Sequence, residues 1–509
     1  MRMVPPVQPL TGTRLLVAGL VLALSNFMVV LDTTIANVSV PHIAGGLGVS
    51  GSQGTWVITS YAVAEAITVP LTGWLAQRFG TVRTFVACVA GFGLFSVLCG
   101  LAPNLGLLVL FRVLQGLAGG PIMPLTQTLL LHIFPKEKAA AATGLWAMTT
   151  VVAPIVGPIL GGTISDNWSW PWIFYINIPV CLLCAMATFR LLTPFETAIA
   201  KRRIDIVGLL LLVVWVGAFQ IMLESGREHD WFASSSVVAL AIVAAIGFAA
   251  FLIWELTEDH PVVDLRVFRH RGFTVGTLAV AVCFGTFFAS IVLIPQWLQL
   301  NLGYTATWAG YATAFIGVLA VVMAPVVAML TTKVDTRLLV CFGILWLGGV
   351  SFLRTQWYEG VDFWTLALPQ LIQGFGMPFF FVGATTLALA AVLERETASA
   401  AGVMNFLRTL AGAIGASVAT TMSERGTQAS RAELAGVLND PERAIAAMQV
   451  NGLSPEQARA ALDHMVQSQA FTLATTEVFF VSAVLFILAA SIIWLAPKPT
   501  RAVDVSAAH

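Results

Sequence analysis

Apolar stretches of about twenty residues recur along the whole chain, separated by short loops that hold most of the Arg, Lys, Asp and Glu. A helix needs about 20 mostly apolar residues to cross the hydrocarbon core of a bilayer, so each stretch predicts a span. With Gly, Pro and charge as punctuation, the first six spans fall near 15–37, 54–76, 82–102, 106–131, 140–162 and 172–192. Two more fall near 207–223 and 235–256, and the last six near 273–294, 308–330, 338–356, 363–391, 398–422 and 473–496. The expected fold class is an all-α polytopic membrane protein with 14 transmembrane helices.

Composition agrees with this. Of 509 residues, 58% are hydrophobic and only 10% charged, too few charges to cover a soluble globule of that size. Net charge is zero and no basic block resembles a nucleic-acid footprint, which argues against DNA or RNA partners. The distribution of charge says more than its sum. With the N-terminus in the cytoplasm, 18 of the 26 basic residues fall on the cytoplasmic side, including Lys201, Arg202 and Arg203. Arg112 and Arg408 lie inside spans, and six lie outside, four of them in the long segment 423–472. That asymmetry predicts cytoplasmic termini and an even number of spans. The first apolar run is long, contains Asp32 and lacks a small-residue cleavage site, so it reads as an uncleaved first span. All six cysteines lie within or at the ends of apolar runs, where they act as small hydrophobes.

An internal repeat organises the spans. Leu114-Gln115-Gly116 is echoed by Ile372-Gln373-Gly374, an offset of 258 residues that also relates Gly144 to Gly402, Ala153 to Ala411 and Gly157 to Gly415. Parallel repeats of this kind resemble those of major-facilitator transporters, whose substrate path runs between two six-helix halves. The expected organisation is a six-helix bundle over 1–192, two inserted helices with their connectors over 193–272, a second six-helix bundle over 273–496 with a periplasmic segment 423–472, and a cytoplasmic tail 497–509.

Ionisable groups within spans cost roughly 2.5 to 3.5 kcal/mol each even on the lenient insertion scale, which makes them functional candidates. Four stand out: Asp32, Glu65, Arg112 and Arg408. In helix 1, Ser25, Asp32 and Ser39 form a polar stripe beside Asn26, Thr33 and Asn37, making Asp32 the leading proton acceptor, with a structural ion pair as the plainer alternative. Glu65 lies on the stripe Tyr61, Glu65, Thr68 and Thr72, either as a second proton carrier, as a counter-charge for a cationic substrate, or as a protonated core acid. Arg112 does not deprotonate and needs a partner, and Gly116 and Gly119 share its face. Asn405 and Arg408 are one turn apart and suit either a polar latch between halves or a substrate contact. Helix 5 concentrates Pro154, Gly157, Pro158, Gly161 and Gly162, which predicts a kinked, closely packed gate. Gly73, Arg78, Gly80 and Arg83 mark a tight basic cytoplasmic loop after helix 2.

None of the five lysines follows a glycine, so a phosphate-cradling G-K-[ST] loop is missing and the expected energy source is a gradient. The sequence carries neither metal-ligand spacing among its histidines nor a nucleophile–base constellation, so no cofactor, metal or enzymatic activity is expected. In the long external segment, Ser454-Pro455-Glu456-Gln457 predicts a separate capped amphipathic helix ending near Gln469.

Taken together, the residues Leu31-Asp32-Thr33-Thr34-Ile35-Ala36-Asn37 with Pro41, Gly73-Trp74-Leu75-Ala76-Gln77-Arg78-Phe79-Gly80, Phe111-Arg112 with Gln115-Gly116, Ala153 to Gly162, and Trp172-Ile173-Phe174 with Asn177 and Pro179 carry a resemblance. Along essentially its whole length the chain resembles the fourteen-helix drug:proton antiporters of the major facilitator superfamily, in the branch of EmrB-type export subunits. The resemblance implies a bacterial inner-membrane exporter of hydrophobic drugs or toxic compounds, driven by the proton gradient. It further implies a periplasmic EmrA-like adaptor and an outer-membrane TolC-like channel as partners. Residue by residue it implies Asp32 as protonation site, Arg112 as its partner, and Pro154, Gly157, Pro158 and Gly161 as an antiport seal. Asn37, Tyr61, Gln115, Asn405 and Arg408 are the residues expected along the substrate path or gate. Two positions depart from the family pattern: Gln77 stands where an aspartate is usual, and Glu65 where an uncharged residue is expected. The rival readings are a proton-coupled importer of a small metabolite and a transport-inactive membrane receptor.

Overall fold

The structure is a computed structural model describing residues 10–135, 138–199, 205–228, 230–259, 261–393, 396–437, 441–450 and 453–498. Arg2, Lys136, Lys201, Arg202, Arg203 and the tail from 499, to which the sequence assigned places in the topology, lie outside these residues.

Among the described residues every long element is a helix. The first set comprises α1 (Gly12–Leu47), α2 (Gly51–Gly54), α3 (Trp56–Thr68), α4 (Thr72–Phe79), α5 (Thr81–Gly100), α6 (Leu105–Gly119), α7 (Ile122–Ile133), α8 (Ala139–Asn167), α9 (Trp172–Tyr175) and α10 (Asn177–Leu192). The pair α11 (Ile206–Glu228) and α12 (Ser235–Thr257) follows. The second set comprises α13 (Arg271–Leu300), α14 (Ala306–Leu330), α15 (Thr336–Leu353), α16 (Phe363–Leu389), α17 (Thr397–Val437), α18 (Pro441–Val450) and α19 (Pro455–Ile492). Twelve helices are long and apolar enough to cross a membrane, thirteen with α8, which bends by 40° beside Pro154. The remaining predicted span, 54–76, is broken into α3 and α4 around Pro70, whose missing N–H cannot continue the ladder.

The 258-residue offset reaches the element boundaries. The helix α6 starts at Leu105 and α16 at Phe363, while α8 starts at Ala139 and α17 at Thr397. Even the caps correspond: Asn104 accepts from the Leu107 N–H at 2.9 Å, and Asp362 from the Thr365 N–H at 3.2 Å. The inserted pair α11 and α12 falls outside this repeat. It packs against α3 and α17, with α12 presenting Ile246, Ile253 and Leu256 outward, as a lipid-facing helix does.

One expectation is corrected. Within 423–472 the short α18 is a separate helix, but the helix capped by Ser454 does not end near Gln469. Instead α17 runs on to Val437 and α19 begins at Pro455, so both outrun the membrane: at 1.5 Å per residue each is about 60 Å long, against about 30 Å of hydrocarbon. The predicted cap is present, Ser454 and Gln457 exchanging side-chain and backbone bonds of 2.9 and 3.2 Å, but it opens a 38-residue helix. Arg431 of α17 pairs with Asp463 of α19 at 2.5 Å and ties the projecting hairpin together. Arg354, which the sequence puts at the end of a span, stands directly after α15. It is 0% exposed, its guanidinium turned into the second bundle.

Lipid is as apolar as leucine, so helices in a bilayer associate through close packing and polar contacts. A Cβ on Gly116 would lie 2.5 Å from the Tyr61 carbonyl oxygen, which is why α3 can lie directly on α6. Contacts between the sets run along α8 and α14 from Gly144 beside Ala324 to Ile159 beside Gly310, and gather where α4 meets the start of α17, Gly73 against Ser399.

Candidate functional site: a closed ion pair and an open arginine

Five helices converge on Asp32. Arg112 of α6 donates from Nη1 to Asp32 Oδ2 at 2.7 Å and to Gln115 Oε1 at 2.8 Å, and from Nε to the Val57 carbonyl of α3 at 3.0 Å. The other carboxylate oxygen, Oδ1, accepts from Asn177 Nδ2 of α10 at 2.6 Å and from Gln115 Nε2 at 3.3 Å. Gln115 Nε2 also donates to Ser96 Oγ of α5 at 2.8 Å. The Arg112 guanidinium lies 4.2 Å from the Tyr61 ring centroid and 5.5 Å from that of Phe174. Asp32 is 2% and Arg112 0% exposed. Both charges are thus out of water, and the arrangement tolerates this because Oδ1 has two amide donors, Oδ2 has the guanidinium, and the charges cancel. Removing one member of such a pair leaves an uncompensated buried charge, at a cost of about 3–5 kcal/mol.

Glu65 lies on α3, half-buried, with no hydrogen bond or ion pair among the described residues. The charges that reach it are Arg408, Arg112 and Asp32. Asn37 is exposed on α1 and stays apart from the Asp32 cluster.

Across the seam between the sets, Asn405 of α17 donates to Gln127 Oε1 of α7 at 3.1 Å. One turn on, Arg408 is 3% exposed, contacts Met123 Sδ through Nη2, and lies between the rings of Trp146 and Phe284, 5.1 Å from each centroid. Its Nε and Nη1 find no partner among the described residues. Arg408 is therefore an open cation, whereas Arg112 is paired with Asp32 and leaves only Nη2 without a partner among the described residues.

The Gly/Pro run of helix 5 packs chiefly on its own set. Gly161 lets α8 come within van der Waals reach of the Ile35 backbone of α1, Gly157 faces Thr34, and Gly162 has open space beside it. Pro154 and Pro158 both lie inside α8, the former at its bend. In the basic loop motif, Gly80 has φ +92°, a conformation that excludes most side chains. The N–H groups of Val82 and Arg83 that follow donate to Glu196, each at 3.0 Å, so an acid from the connector after α10 caps α5. Arg78 is half-buried in the last turn of α4, and Arg83, largely exposed, reaches Glu196 at 3.9 Å.

The residues' own spacing did not reveal Ser96, Met123, Gln127, Trp146, Arg354 or Gln370. The repeat could have found several. The same offset that relates Gln115 to Gln373 relates Ser96 to Arg354 and Thr150 to Arg408, and Arg354 does donate to Gln373 and, at 2.8 Å, to Gln370. The cluster's other participant, Asn177, is visible beforehand only through the family resemblance.

Helices in two offset-related sets, a broken second span and a polar cluster buried between helices define a membrane transporter fold with its chemistry inside the bundle. Residues 22–416 match the family described as Major Facilitator Superfamily. The chain is 43% identical over 497 residues to "Multidrug export protein EmrB" of Escherichia coli, covering 97% of each, and 44% identical over 495 residues to "Fatty acid resistance protein FarB" of Neisseria gonorrhoeae, covering 96% of this chain and 98% of that one. Among solved structures, the proton:xylose symporter XylE superposes with a TM-score of 0.60 at 14% identity, over 96% of both chains, a likeness of fold alone. The chain belongs to the Major Facilitator Superfamily and, within it, to the branch of EmrB-type multidrug transporters.

Proposed function

We propose that this protein exports hydrophobic drugs or toxic compounds across the bacterial inner membrane in exchange for protons, with both termini in the cytoplasm. The observation that carries the reading is the Asp32–Arg112 pair, a buried carboxylate whose charge is balanced by a single guanidinium at 2.7 Å. A proton on Asp32 would cancel one side of that balance. Arg112 would then be left with Gln115 and the Val57 carbonyl, and the pull that holds α1 to α6 would weaken. When the site next faces the cytoplasm, the uncompensated guanidinium favours loss of that proton and the pair re-forms.

With α1 starting in the cytoplasm, the cluster lies toward the periplasmic end, since Val57 and Asn177 stand at the outer ends of α3 and α10. That suits proton entry from outside. The helical hairpin of α17 and α19 then projects into the periplasm, in keeping with a role as inner-membrane subunit of a tripartite pump, with an EmrA-like adaptor and a TolC-like channel. The names of the relatives favour hydrophobic compounds as substrates.

The test is proton-driven drug efflux in inverted membrane vesicles, comparing wild type with Asp32→Asn and Glu65→Gln at matched expression. Loss of coupled transport with retained drug binding in Asp32→Asn is the expected result. Unaltered coupling in Asp32→Asn would move the role to Glu65, and no change in either variant would remove the exchange mechanism altogether.

A further inference from the structure

We propose that Arg408 is the specificity residue of the substrate path, receiving the acidic head group, a carboxylate or phenolate, of an otherwise apolar substrate; this rests on the export reading above. The guanidinium is nearly water-free, yet two of its three nitrogens, Nε and Nη1, have no acceptor among the described residues. Its third nitrogen meets only the thioether of Met123, a weak acceptor. A buried cation left in this condition is costly unless something completes it. A planar group with two oxygens is the shape that the open fork of a guanidinium binds most strongly.

Position separates Arg408 from Arg354, which likewise leaves Nε and Nη1 without a partner among the described residues. Arg112, which leaves only Nη2, already has its acid. Arg354 is enclosed within the second set and spends Nη2 on Gln370 and Gln373. Arg408 stands on the seam, with Met123 of α7 and Trp146 of α8 from one set and Phe284 of α13 from its own, where a substrate passing between the halves would meet it. One turn away on α7, the Gln127 amide Nε2 is a further donor without a partner among the described residues.

The surroundings choose the rest of the ligand. Phe284 continues into an aromatic group with Phe287, Phe288 and Phe381, ring centroids 5.5–6.3 Å from its own, a bed for an apolar body. The faces of Trp146 and Phe284 that would attract a cationic drug are already turned to the guanidinium. Glu65 of α3 is close enough for its charge to be felt by Arg408, with no ion pair between them among the described residues, so an arriving acid competes with the field of Glu65.

Binding of dansyl-undecanoic acid and of its uncharged methyl ester to the purified full chain in detergent, read by dansyl fluorescence, tests this. The wild type is expected to prefer the acid by about tenfold or more, the range for a charge-assisted bidentate contact. Arg408→Gln removes the preference while keeping ester binding, Arg408→Lys retains part of it, and Glu65→Gln strengthens binding of the acid and leaves the ester unchanged. No preference in the wild type, an undiminished preference in Arg408→Gln, or equal weakening of both ligands there would overturn the assignment. If Arg408→Gln does not elute as a folded species, the wild-type and Glu65→Gln arms still decide. A wild type that moves the ester or another neutral drug in vesicles without favouring the acid overturns this inference alone; one that moves no hydrophobic compound overturns the export reading beneath it.

Discussion

The two offset-related halves share a scaffold and differ in their buried chemistry. In the first, Asp32, Arg112, Gln115 and Ser96 form a balanced network; at the corresponding positions of the second stand Ser290, Gln370, Gln373 and Arg354. The acid has become a hydroxyl, and the cation has moved from α6 in one half to the end of α15 in the other. The helix pair α1 and α8 differs from α13 and α17 in the same way. Asn26 donates from Nδ2 to Thr149 and Thr150 at 2.8 and 3.1 Å, a neutral contact, whereas the corresponding place holds Phe284 beneath the open guanidinium of Arg408. Packing has been kept meanwhile: a Cβ on Gly116 would strike the Tyr61 carbonyl, and one on Gly374 would strike the Ile316 carbonyl. Close helix approach requires the same small residues on both sides, but only a balanced half can change its charge state by a single proton. The other half offers fixed positive charge.

The widest expected gap between the halves is in coupling. Asp32→Asn abolishes proton-coupled efflux, whereas Ser290→Asn, the same amide in the equivalent place, leaves it intact; vesicle efflux against a pH gradient reads both. Stability comes next. Arg112→Gln strands the Asp32 carboxylate and is expected to lower unfolding free energy by about 3–5 kcal/mol, while Arg354→Gln removes a cation that has no acid partner among the described residues and is expected to be neutral or stabilising. Thermal and denaturant unfolding in detergent would show whether the signs differ, and equal losses would end the distinction drawn here. Smaller and symmetrical effects are expected from Gly116→Ala and Gly374→Ala, each destabilising by about 1–3 kcal/mol through overpacking, with Gly162→Ala, which has open space around it, as the control near zero. The smallest effect belongs to the loop after α4. Glu196→Gln weakens the cap on α5 by about 0.3–1 kcal/mol, and Arg83→Ala changes melting within experimental scatter because its 3.9 Å bridge lies at an exposed surface. A large loss from Arg83→Ala would mean that the bridge acts as a latch.

Much of this was legible in the residue pattern. The positions of the spans, the inserted pair, the repeat and the buried acid and arginine follow from hydropathy and from the expense of charge in hydrocarbon, both local properties of a chain facing lipid. The proline breaks were visible as breakers, although whether Pro70 would split a span while Pro41 sits within the continuous α1 was not. That outcome depends on neighbouring helices, which decide whether a lost backbone bond can be tolerated.

Sequence alone therefore determined a many-span helical transporter with its ionisable residues turned inward, because burial of apolar surface in lipid and the avoidance of charge there act on each segment separately. Only the tertiary structure decided that Asp32 meets Arg112, that Arg354 is buried, that Glu196 supplies the cap to α5, and that α17 and α19 continue past the membrane as one hairpin. Apart from Arg354, bonded to Gln370 and Gln373 of the next helix, those facts join residues 80 or more positions apart or rest on helix contacts beyond the bilayer. There hydropathy no longer says where a helix must stop, and partner choice is set by the packing of whole helices.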